Sequence, residues 1–264
     1  MGDHSLPCAL TIAGSDSGGG AGIQADLKVF AMHRVYGLSV ITALTAQNTL
    51  GVHGVFAPDA EFVSLQLGAV LEDFPVRAAK TGMLYSREII SKVADGLRDK
   101  DFALVVDPVC VSQSGHRLLL EDGLEAMRSR MMPLATLVTP NRAEAALLAD
   151  MAEINTFQEM HLAMDRLQDM GAGAVLLKGG HFPGRQVTDW LKMGSKEPVS
   201  LIRPRLDTSH THGTGCTLAA AITACLARGM SMEEAVIRGR DYLQQTLEKS
   251  FPLGRGYGPV NHLV

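Results

Sequence analysis

Cysteine is scarce in this chain and is not arranged in pairs. The 264 residues contain four cysteines, with no C-x-x-C pair and no metal-ligand spacing. This excludes a disulfide scaffold and a cysteine-based metal site, and it is typical of a cytoplasmic protein with reduced thiols. The N-terminus lacks the basic residues of a signal peptide, and no apolar run reaches the roughly eighteen residues of a membrane span. We therefore expect a soluble protein in the cytoplasm.

A strong excess of charge of either sign is also absent. Lysine and arginine total 24 against 28 acidic residues, which gives a net charge of −4 at pH 7, and the basic residues form no cluster. This balance excludes nucleic acid and an anionic membrane as the main partner. Because 46% of the residues are hydrophobic, the chain can bury a large core, and its length suits one α/β domain over residues 1–264.

Several common catalytic motifs are missing from the sequence. It contains no G-x-x-x-x-G-K-[ST] phosphate loop, no G-x-G-x-x-G dinucleotide fingerprint and no H-E-x-x-H zinc site. A G-x-S-x-G nucleophile elbow is also absent, which argues against a hydrolase of that class. The glycines at positions 18, 19, 20 and 22 are therefore interpreted as a flexible substrate lid or a strand-to-helix turn.

Short apolar runs alternate with longer amphipathic stretches, which predicts β-α repeats around a mainly parallel sheet. The predicted strands are residues 8–13, 38–46, 76–80, 103–106, 137–139 and 174–178, with a β-hairpin over 186–205. The predicted helices are 23–33, one opening at Pro58 and Asp59, 86–97, 141–150, one opening at Thr156, one after Gly215, and 231–248. Ligands bind beyond the carboxyl ends of parallel strands. Since polar and glycine residues collect at those ends here, we expect a single site there.

The segment from Thr211 to Cys216 carries two glycines immediately before a helix of small residues. Outward-pointing N–H groups and the positive end of that helix would bind a phosphate or a developing oxyanion. In the first helical turn Cys216 would be favoured as a thiolate beside this anion hole. The alternative for this segment on its own is a glycine-rich turn that caps a core helix with a buried cysteine.

Polar residues at three other strand ends are candidates for phosphate and metal binding. Asn141 and Glu144, three residues apart, would face a ligand together, and the carboxylate could hold a water-coordinated Mg²⁺; alternatively the two residues cap a helix. Asp107 is a second candidate metal ligand or a turn cap. Lys178 is a candidate phosphate contact or an ordinary exposed lysine.

A second set of residues could contact an aromatic ring. The amide of Gln47 offers a donor and an acceptor to a heteroaromatic edge, and Met83 could pack on the ring or fill the core. Asp26 could accept a hydrogen bond from a substrate or be an exposed helix acid. His212 could orient the glycine loop or be an ordinary loop histidine.

These motifs, taken in order over nearly the whole chain, resemble the hydroxymethylpyrimidine and phosphomethylpyrimidine kinases of the ribokinase superfamily. The matching segments are 10–16, 19–28, 39–49, 82–84, 139–141, 178–181, 212–217 and 258–260. The resemblance implies a three-layer α/β/α sandwich with a mainly parallel central sheet, ATP and Mg²⁺ as cofactors, and a homodimer.

The resemblance also implies a role for each candidate residue. The ring of the pyrimidine substrate would be contacted by Gln47, Ala21, Asp26, Met83 and Val109. The nucleotide and its phosphates would be contacted by Asn141, Lys178, Thr211 and His212, and Mg²⁺ by Glu144 and Asp107. The anion hole would be Gly213, Thr214 and Gly215. Cys216 would be the catalytic base, at a position where most ribokinase relatives have aspartate.

The implied activity is ATP-dependent phosphorylation of 4-amino-5-hydroxymethyl-2-methylpyrimidine to its monophosphate and then its pyrophosphate, in thiamine biosynthesis. The nearest alternative is a pyridoxal or pyridoxine kinase, because both substrates are methylated heteroaromatic rings with a hydroxymethyl group; Gln47 and Met83 favour the pyrimidine. An alternative from another class is a non-catalytic pyrimidine-binding protein. The presence of Cys216, Glu144 and Asp107 argues against it.

Overall fold

The computed structural model describes residues 6–110, 118–120, 122–180 and 184–264. The strands in these residues form one nine-stranded sheet in the order β3-β2-β1-β4-β5-β6-β7-β8-β9. They are β1 (Cys8–Asp16), β2 (Tyr36–Asn48), β3 (Gly51–Phe56), β4 (Val76–Thr81), β5 (Ala103–Val106), β6 (Leu137–Val138), β7 (Ala174–Leu177), β8 (Gln186–Met193) and β9 (Val199–Pro204). The strands from β2 across to β7 pair in parallel, whereas β3 at one edge and β8 and β9 at the other pair antiparallel. The sheet is therefore mainly parallel, as predicted.

Helices cover both faces of this sheet. They are α1 (Gly22–Met32), α2 (Ala60–Asp73), α3 (Arg87–Gly96), α4 (Gly123–Ala126), α5 (Arg142–Leu148), α6 (Phe157–Asp169), α7 (Thr214–Ala227) and α8 (Met232–Glu248). A π-helical turn (Met127–Met131) and a 3₁₀ turn (Met132–Leu134) follow α4. No helix in the described ranges is long and apolar enough to cross a membrane.

Alternation along β5 shows how the layers are built. Leu104 and Val106 belong to the core that also contains Val63 of α2 and Ile90 of α3. Val105, between them, belongs to the core on the other face, under α7 and α8. Successive side chains of a strand point to opposite faces, so a strand buried on both sides reads as a continuous apolar run. The result is the expected three-layer α/β/α sandwich.

Helix α7 can lie close to the sheet because its side chains are small. Ala219, Ala220, Ala221 and Ala224 are fully buried, and α7 packs against α1, α8 and the central strands β1, β4 and β5. This central position brings the first turn of α7 to the edge where the parallel strands end.

The main difference from the sequence-based expectation is a hairpin at one edge. The strand predicted over 38–46 extends over Tyr36–Asn48, and Gly51–Phe56 pairs with it as β3. Two glycines weaken the strand signal of β3, so cross-strand pairing decides its structure. The predicted hairpin over 186–205 is confirmed as β8 and β9. His181, part of one motif, lies outside the described residues.

Candidate active site

A cavity of about 810 Å³ opens at the carboxyl ends of the parallel strands. This volume lies within the usual range for a small-molecule site. The structure brings almost all predicted site residues into its lining: Ala21, Gln47, Met83, Asp107, Val109, Asn141, Glu144, Lys178, Thr211, His212, Gly213, Thr214, Gly215 and Cys216. Asp26 is the remaining predicted residue, and it is not part of the cavity lining.

The first turn of α7 forms an anion cradle, made of Gly213, Thr214, Gly215 and Cys216. Gly213 is the N-cap and has a left-handed backbone with φ of 86°. A Cβ at this position would collide with the backbone carbonyl oxygen of Gly20, so only glycine fits. The first N–H groups of a helix have no partner within it. Because α7 starts at the cavity, the positive end of the helix is available to an anionic ligand. The Thr214 N–H also donates to the Thr211 carbonyl oxygen at 3.3 Å, which leaves the N–H groups of Gly215 and Cys216 as the other donors of the cradle.

A lysine and two carboxylates lie next to the anion cradle. Lys178 Nζ is 2.9 Å from Asp107 Oδ1 and 3.9 Å from Glu144 Oε2, and Thr139 Oγ1 donates to the same Asp107 oxygen. A Cβ on Gly215 would lie 3.4 Å from Asp107 Oδ2 and 3.5 Å from Lys178 Nζ. The charged groups and the cradle therefore border the same small volume.

Glu144 caps α5 and lines the cavity at the same time. Its carboxylate accepts a hydrogen bond from the Asn141 N–H at 2.8 Å, and the Asn141 side chain accepts one from the Glu144 N–H at 2.9 Å. The two interpretations of this pair are thus compatible, because the capping box fixes the carboxylate at the cavity wall. Burial raises the pKa of Glu144 to about 7, although Lys178 opposes the shift. Burial would lower the pKa of Lys178, but Asp107 and Glu144 raise it above its ordinary value.

We expect Glu144→Gln to raise the melting temperature near pH 8 by a few degrees and to leave it nearly unchanged near pH 4.5. The pKa of Glu144 is about 7 in the folded protein, against 4.5 for a free glutamate. Between these two values the unfolded chain loses its proton while Glu144 in the folded protein still holds one. The free energy of unfolding therefore falls as the pH rises. Thermal unfolding without nucleotide or metal, followed across this pH range, measures the effect.

Glu159 provides the matched control, because it occupies the equivalent capping position at the start of α6 but is only partly buried. Hydrogen bonds from backbone N–H groups hold its pKa below the ordinary value. Its contribution is therefore stabilising above the unfolded pKa and is lost as the pH falls. Glu159→Gln should lower the melting temperature near pH 8. An equal gain for Glu144→Gln at both pH values would contradict the linkage.

The expected thiolate at Cys216 is corrected by the structure. Burial raises the pKa of the thiol to about 11, even though Lys80 and the N–H of Gly22 act to lower it; Asp26 and Asp107 add to the increase. The helix N-terminus alone does not overcome the loss of water around the sulfur. Cys216 is therefore a protonated thiol at neutral pH in the unliganded protein.

One end of the cavity lies near the glycine loop, which runs from Gly14 to Gly22, and this end is suited to a flat ring. Met83 packs with Ala43 and Leu118, and the half-buried Val109 lies against them. Gln47 borders this apolar surface; its Nε2 is 3.4 Å from His212 Nε2 and its Oε1 accepts from Thr45 Oγ1 at 3.2 Å. An apolar wall with one amide at its edge suits a heteroaromatic ring.

Asp16 organises the glycine loop, a role that the sequence did not indicate. Its carboxylate accepts hydrogen bonds from the N–H groups of Gly18, Gly20 and Ala21, and His212 Nε2 is 2.9 Å away. Burial opposes ionisation, but these partners hold the pKa of Asp16 below its ordinary value. His212 thus ties the anion cradle to the glycine loop, which supports its interpretation as a loop-orienting residue.

Asp26 does not line the cavity. It is fully buried in α1 and binds Lys80 Nζ at 2.7 Å and Thr11 Oγ1 at 2.6 Å. The expectation that Asp26 borders the ring, and the alternative of an exposed helix acid, are both corrected. The helix turns this carboxylate toward the sheet, where it meets a lysine far away in the sequence.

A second part of the cavity was not anticipated from the sequence. It is lined by residues of β8, β9 and α8 and of the segment before α7: Val187, Arg203, Pro204, Arg205, Leu206, Thr208, Leu243, Gln244 and Leu247. Asp189, which accepts hydrogen bonds from Arg240 Nε and the Gly179 N–H, also lies there. These residues follow ordinary strand and helix patterns. Only the prediction of a hairpin beside the last two helices could have pointed to them.

The fold and the cavity together define a class of protein. A mainly parallel α/β/α sandwich with an anion cradle between an apolar end and a second pocket is typical of a ribokinase-like phosphotransferase for a small molecule. The family model for phosphomethylpyrimidine kinase matches residues 16–261. The chain belongs to this family.

Individual relatives agree with this assignment. A hydroxymethylpyrimidine/phosphomethylpyrimidine kinase of Rhizobium meliloti is 49% identical over 96% of this chain and 96% of its own length. The crystal structure of a phosphomethylpyrimidine kinase from Clostridium difficile has a TM-score of 0.79 and 40% identity, covering 91% of this chain and 99% of its own. An ADP complex of Bacillus subtilis pyridoxal kinase has a TM-score of 0.89 and 37% identity, covering 98% of each chain.

Proposed function

We propose that this protein transfers phosphate from ATP to 4-amino-5-hydroxymethyl-2-methylpyrimidine, and then to the resulting monophosphate, in thiamine biosynthesis. The observation that carries the proposal is the anion cradle in a cavity with two ends, one bordered by Gln47 and Met83 and the other lined by β8, β9 and α8. The family membership and the 49% identity to a hydroxymethylpyrimidine/phosphomethylpyrimidine kinase support it.

In the proposed arrangement the hydroxymethyl group of the ring points toward Cys216. The transferred phosphoryl group lies on the N–H groups of the cradle, next to Lys178, where its charge is stabilised. Cys216 takes the hydroxyl proton as the new oxygen–phosphorus bond forms and the bond from the γ-phosphorus to the bridging oxygen breaks, with ADP as the leaving group. Since the pKa of this thiol is about 11, the proton transfer depends on the small thiolate fraction and becomes faster as the pH rises.

The adenine is proposed to occupy the pocket along β8, β9 and α8. Leu206, Leu243 and Leu247 give it apolar walls, and Gln244 offers an amide to a base edge. From there the triphosphate reaches Asn141, Lys178, Thr211 and His212, which line the middle of the cavity. The ADP complex of the related pyridoxal kinase supports a nucleotide in this fold.

Asp107 and Glu144 have the chemistry of magnesium ligands. Mg²⁺ prefers oxygen and is usually held by one or two carboxylates together with phosphates and water. No group of three or more His, Cys, Asp or Glu residues suited to a metal occurs in the described ranges, so the phosphates would have to complete the coordination. When bound, Mg²⁺ would neutralise charge on the phosphates.

A pyridoxal kinase is the second candidate, because the solved pyridoxal kinase superposes with the higher of the two TM-scores. Sequence identity is lower to it than to the pyrimidine kinases, which supports the pyrimidine. Incubation with ATP, Mg²⁺ and either substrate, followed by mass spectrometry, tests both. Pyrimidine monophosphate and pyrophosphate together would support the proposal. Pyridoxal phosphate as the only product would contradict it.

We expect Gln47→Leu to raise the KM for hydroxymethylpyrimidine about tenfold to a hundredfold, with little change in the KM for ATP. The amide is the half-buried polar group at the ring end, and leucine keeps its approximate size while removing the donor and acceptor. Steady-state kinetics with each substrate varied in turn measures the split. Gln244→Leu, at the other end of the cavity, is the matched variant and should raise the KM for ATP instead. Equal effects of Gln47→Leu on both KM values would contradict the assignment of the two ends.

The remaining proposals concern the assembly and location of the protein. The continuous sheet supports one domain over residues 1–264. Exposed apolar side chains on β2, β3 and α2 support a homodimer through this edge of the sheet: Leu44, Phe56, Phe62 and Leu65. The four cysteines are all free thiols, which supports a cytoplasmic location.

A further inference from the structure

Lys80 is a fully buried cation in the middle of the sheet. It lies on β4, directly beside Thr11 of the neighbouring strand β1. Its Nζ is 2.7 Å from Asp26 Oδ2, and Thr11 Oγ1 donates to the same oxygen at 2.6 Å. One charged pair and one hydroxyl are thus enclosed between the sheet and α1.

Core stability does not account for this pair. Removing two charges from water is expensive, and replacing a buried ion pair by apolar residues of similar volume is often neutral or stabilising. The pair is also incompletely satisfied, because Asp26 Oδ1 makes no hydrogen bond within the described residues. A costly and incompletely bonded charge next to a cavity indicates a function at that cavity.

The ammonium group of Lys80 lies directly behind the cavity wall. A Cβ on Gly82, which lines the cavity, would be 3.4 Å from Lys80 Nζ. Helix α7, whose first turn carries Cys216, packs on β4. Lys80 therefore lies behind the cavity wall that Gly82 forms, on the strand that packs against the helix of Cys216.

The charges around the Cys216 thiol come from four elements. Of these charges, Lys80 on β4 has the largest effect and lowers the pKa of the thiol, whereas Asp26 on α1 and Asp107 after β5 raise it. Lys178, after β7, also interacts with the thiol electrostatically. Burial would lower the pKa of Lys80, but Asp26, Cys216 and Asp107 raise it above its ordinary value. Lys80 therefore remains charged at neutral pH.

We propose that Lys80 is a positioning residue for phosphoryl transfer, whose ammonium group, held by Asp26 and Thr11, maintains a fixed positive charge behind Cys216 and the anion cradle. The proposal rests on the proposed role of Cys216 as the base. The positive charge of Lys80 stabilises the thiolate that accepts the hydroxyl proton. It also stabilises the negative charge that collects on the anion cradle during phosphoryl transfer. Asp26 keeps the lysine charged and directs it, which gives a role to a carboxylate that does not contact the ligand.

The test is the reactivity of the Cys216 thiol in the absence of substrates. Iodoacetamide alkylates thiolates, and fragment mass spectrometry assigns the label to Cys216. We expect Lys80→Met to alkylate about tenfold more slowly near pH 8, since a pKa increase of about one unit reduces the thiolate fraction tenfold. We also expect a similar loss in kcat with little change in either KM. Lys92→Met is the control, because Lys92 pairs with Glu61 on the surface, and it should behave as the wild type.

The double variant Asp26→Asn/Lys80→Met separates the loss of the lysine charge from the loss of stability that Lys80→Met alone would cause. It removes the lysine without leaving an uncompensated carboxylate in the core, so its melting temperature should exceed that of Lys80→Met. Because Asp26 disfavours the thiolate, alkylation of the double variant should be faster than that of Lys80→Met but still slower than that of the wild type. A wild-type alkylation rate in Lys80→Met, or in both variants, would overturn the proposal.

Failure of this proposal can be distinguished from failure of the proposed catalytic role. The alkylation rate is measured without turnover and reports only the field at the thiol. If Cys216→Ala keeps the wild-type kcat, the base assignment is wrong, and Lys80 cannot act through that residue. If Cys216→Ala loses activity but alkylation does not depend on Lys80, only the proposal for Lys80 is wrong.

Discussion

Cys216→Ala is expected to lower kcat for pyrimidine phosphorylation about a hundredfold to a thousandfold while both KM values stay within a few-fold. A positioned general base contributes a factor of this order. Phosphoryl transfer has a loose transition state, so the cradle and Lys178 should retain part of the rate acceleration without the base. The measurement is steady-state kinetics of ADP formation with purified wild type and variant.

A second cysteine on the same helix provides the control. Cys225 is buried in the core under α7, so Cys225→Ala should lower the melting temperature and leave kcat nearly unchanged. The wild-type kcat should also increase with pH above neutrality, because the pKa of Cys216 is about 11 and its thiolate fraction increases as the pH rises. Cys216→Ala should lose this dependence. A variant with wild-type kcat and the same pH profile would exclude Cys216 as the base.

The parts of the site that the sequence predicted are those in which one short motif fixes the local geometry. Asn141 and Glu144 form a capping box, so three residues of spacing determine both the helix start and the direction of the carboxylate. Gly213 needs a left-handed backbone, which places the cradle at the start of α7. The β-α alternation predicted the parallel sheet, and a parallel sheet collects its strand ends at one edge.

The parts that were missed depend on contacts between distant segments. Asp26 was predicted to contact the substrate or to be an exposed helix acid, because nothing near it in the sequence shows Lys80, which reaches it from the neighbouring layer. The pKa of Cys216 was predicted in the wrong direction because a helix N-terminus is visible in a sequence, whereas burial is not. The pocket along β8, β9 and α8 exists only because an antiparallel hairpin folds beside α8. In each case packing, and not local sequence, decides the outcome.

Gly213→Ala is expected to lower kcat at least about a thousandfold while the protein remains folded. A Cβ at this position would collide with the carbonyl oxygen of Gly20, and Gly213 itself lines the cavity. Relief of the collision must move the first turn of α7 away from the glycine loop. Loss of one such N–H donor typically costs about a hundredfold to a thousandfold, and here the whole cradle moves together with Cys216.

Gly229 at the other end of α7 isolates the cause. Its φ of 83° is close to the 86° of Gly213, but a Cβ there would meet nothing within 4 Å. Gly229→Ala should therefore show only the strain of a left-handed alanine, about 1–2 kcal/mol in unfolding free energy, and keep its kcat. Circular dichroism and kinetics on both variants provide the comparison. Similar kcat values for the two would mean that the close approach of Gly213 to Gly20 does not hold the cradle in its active geometry.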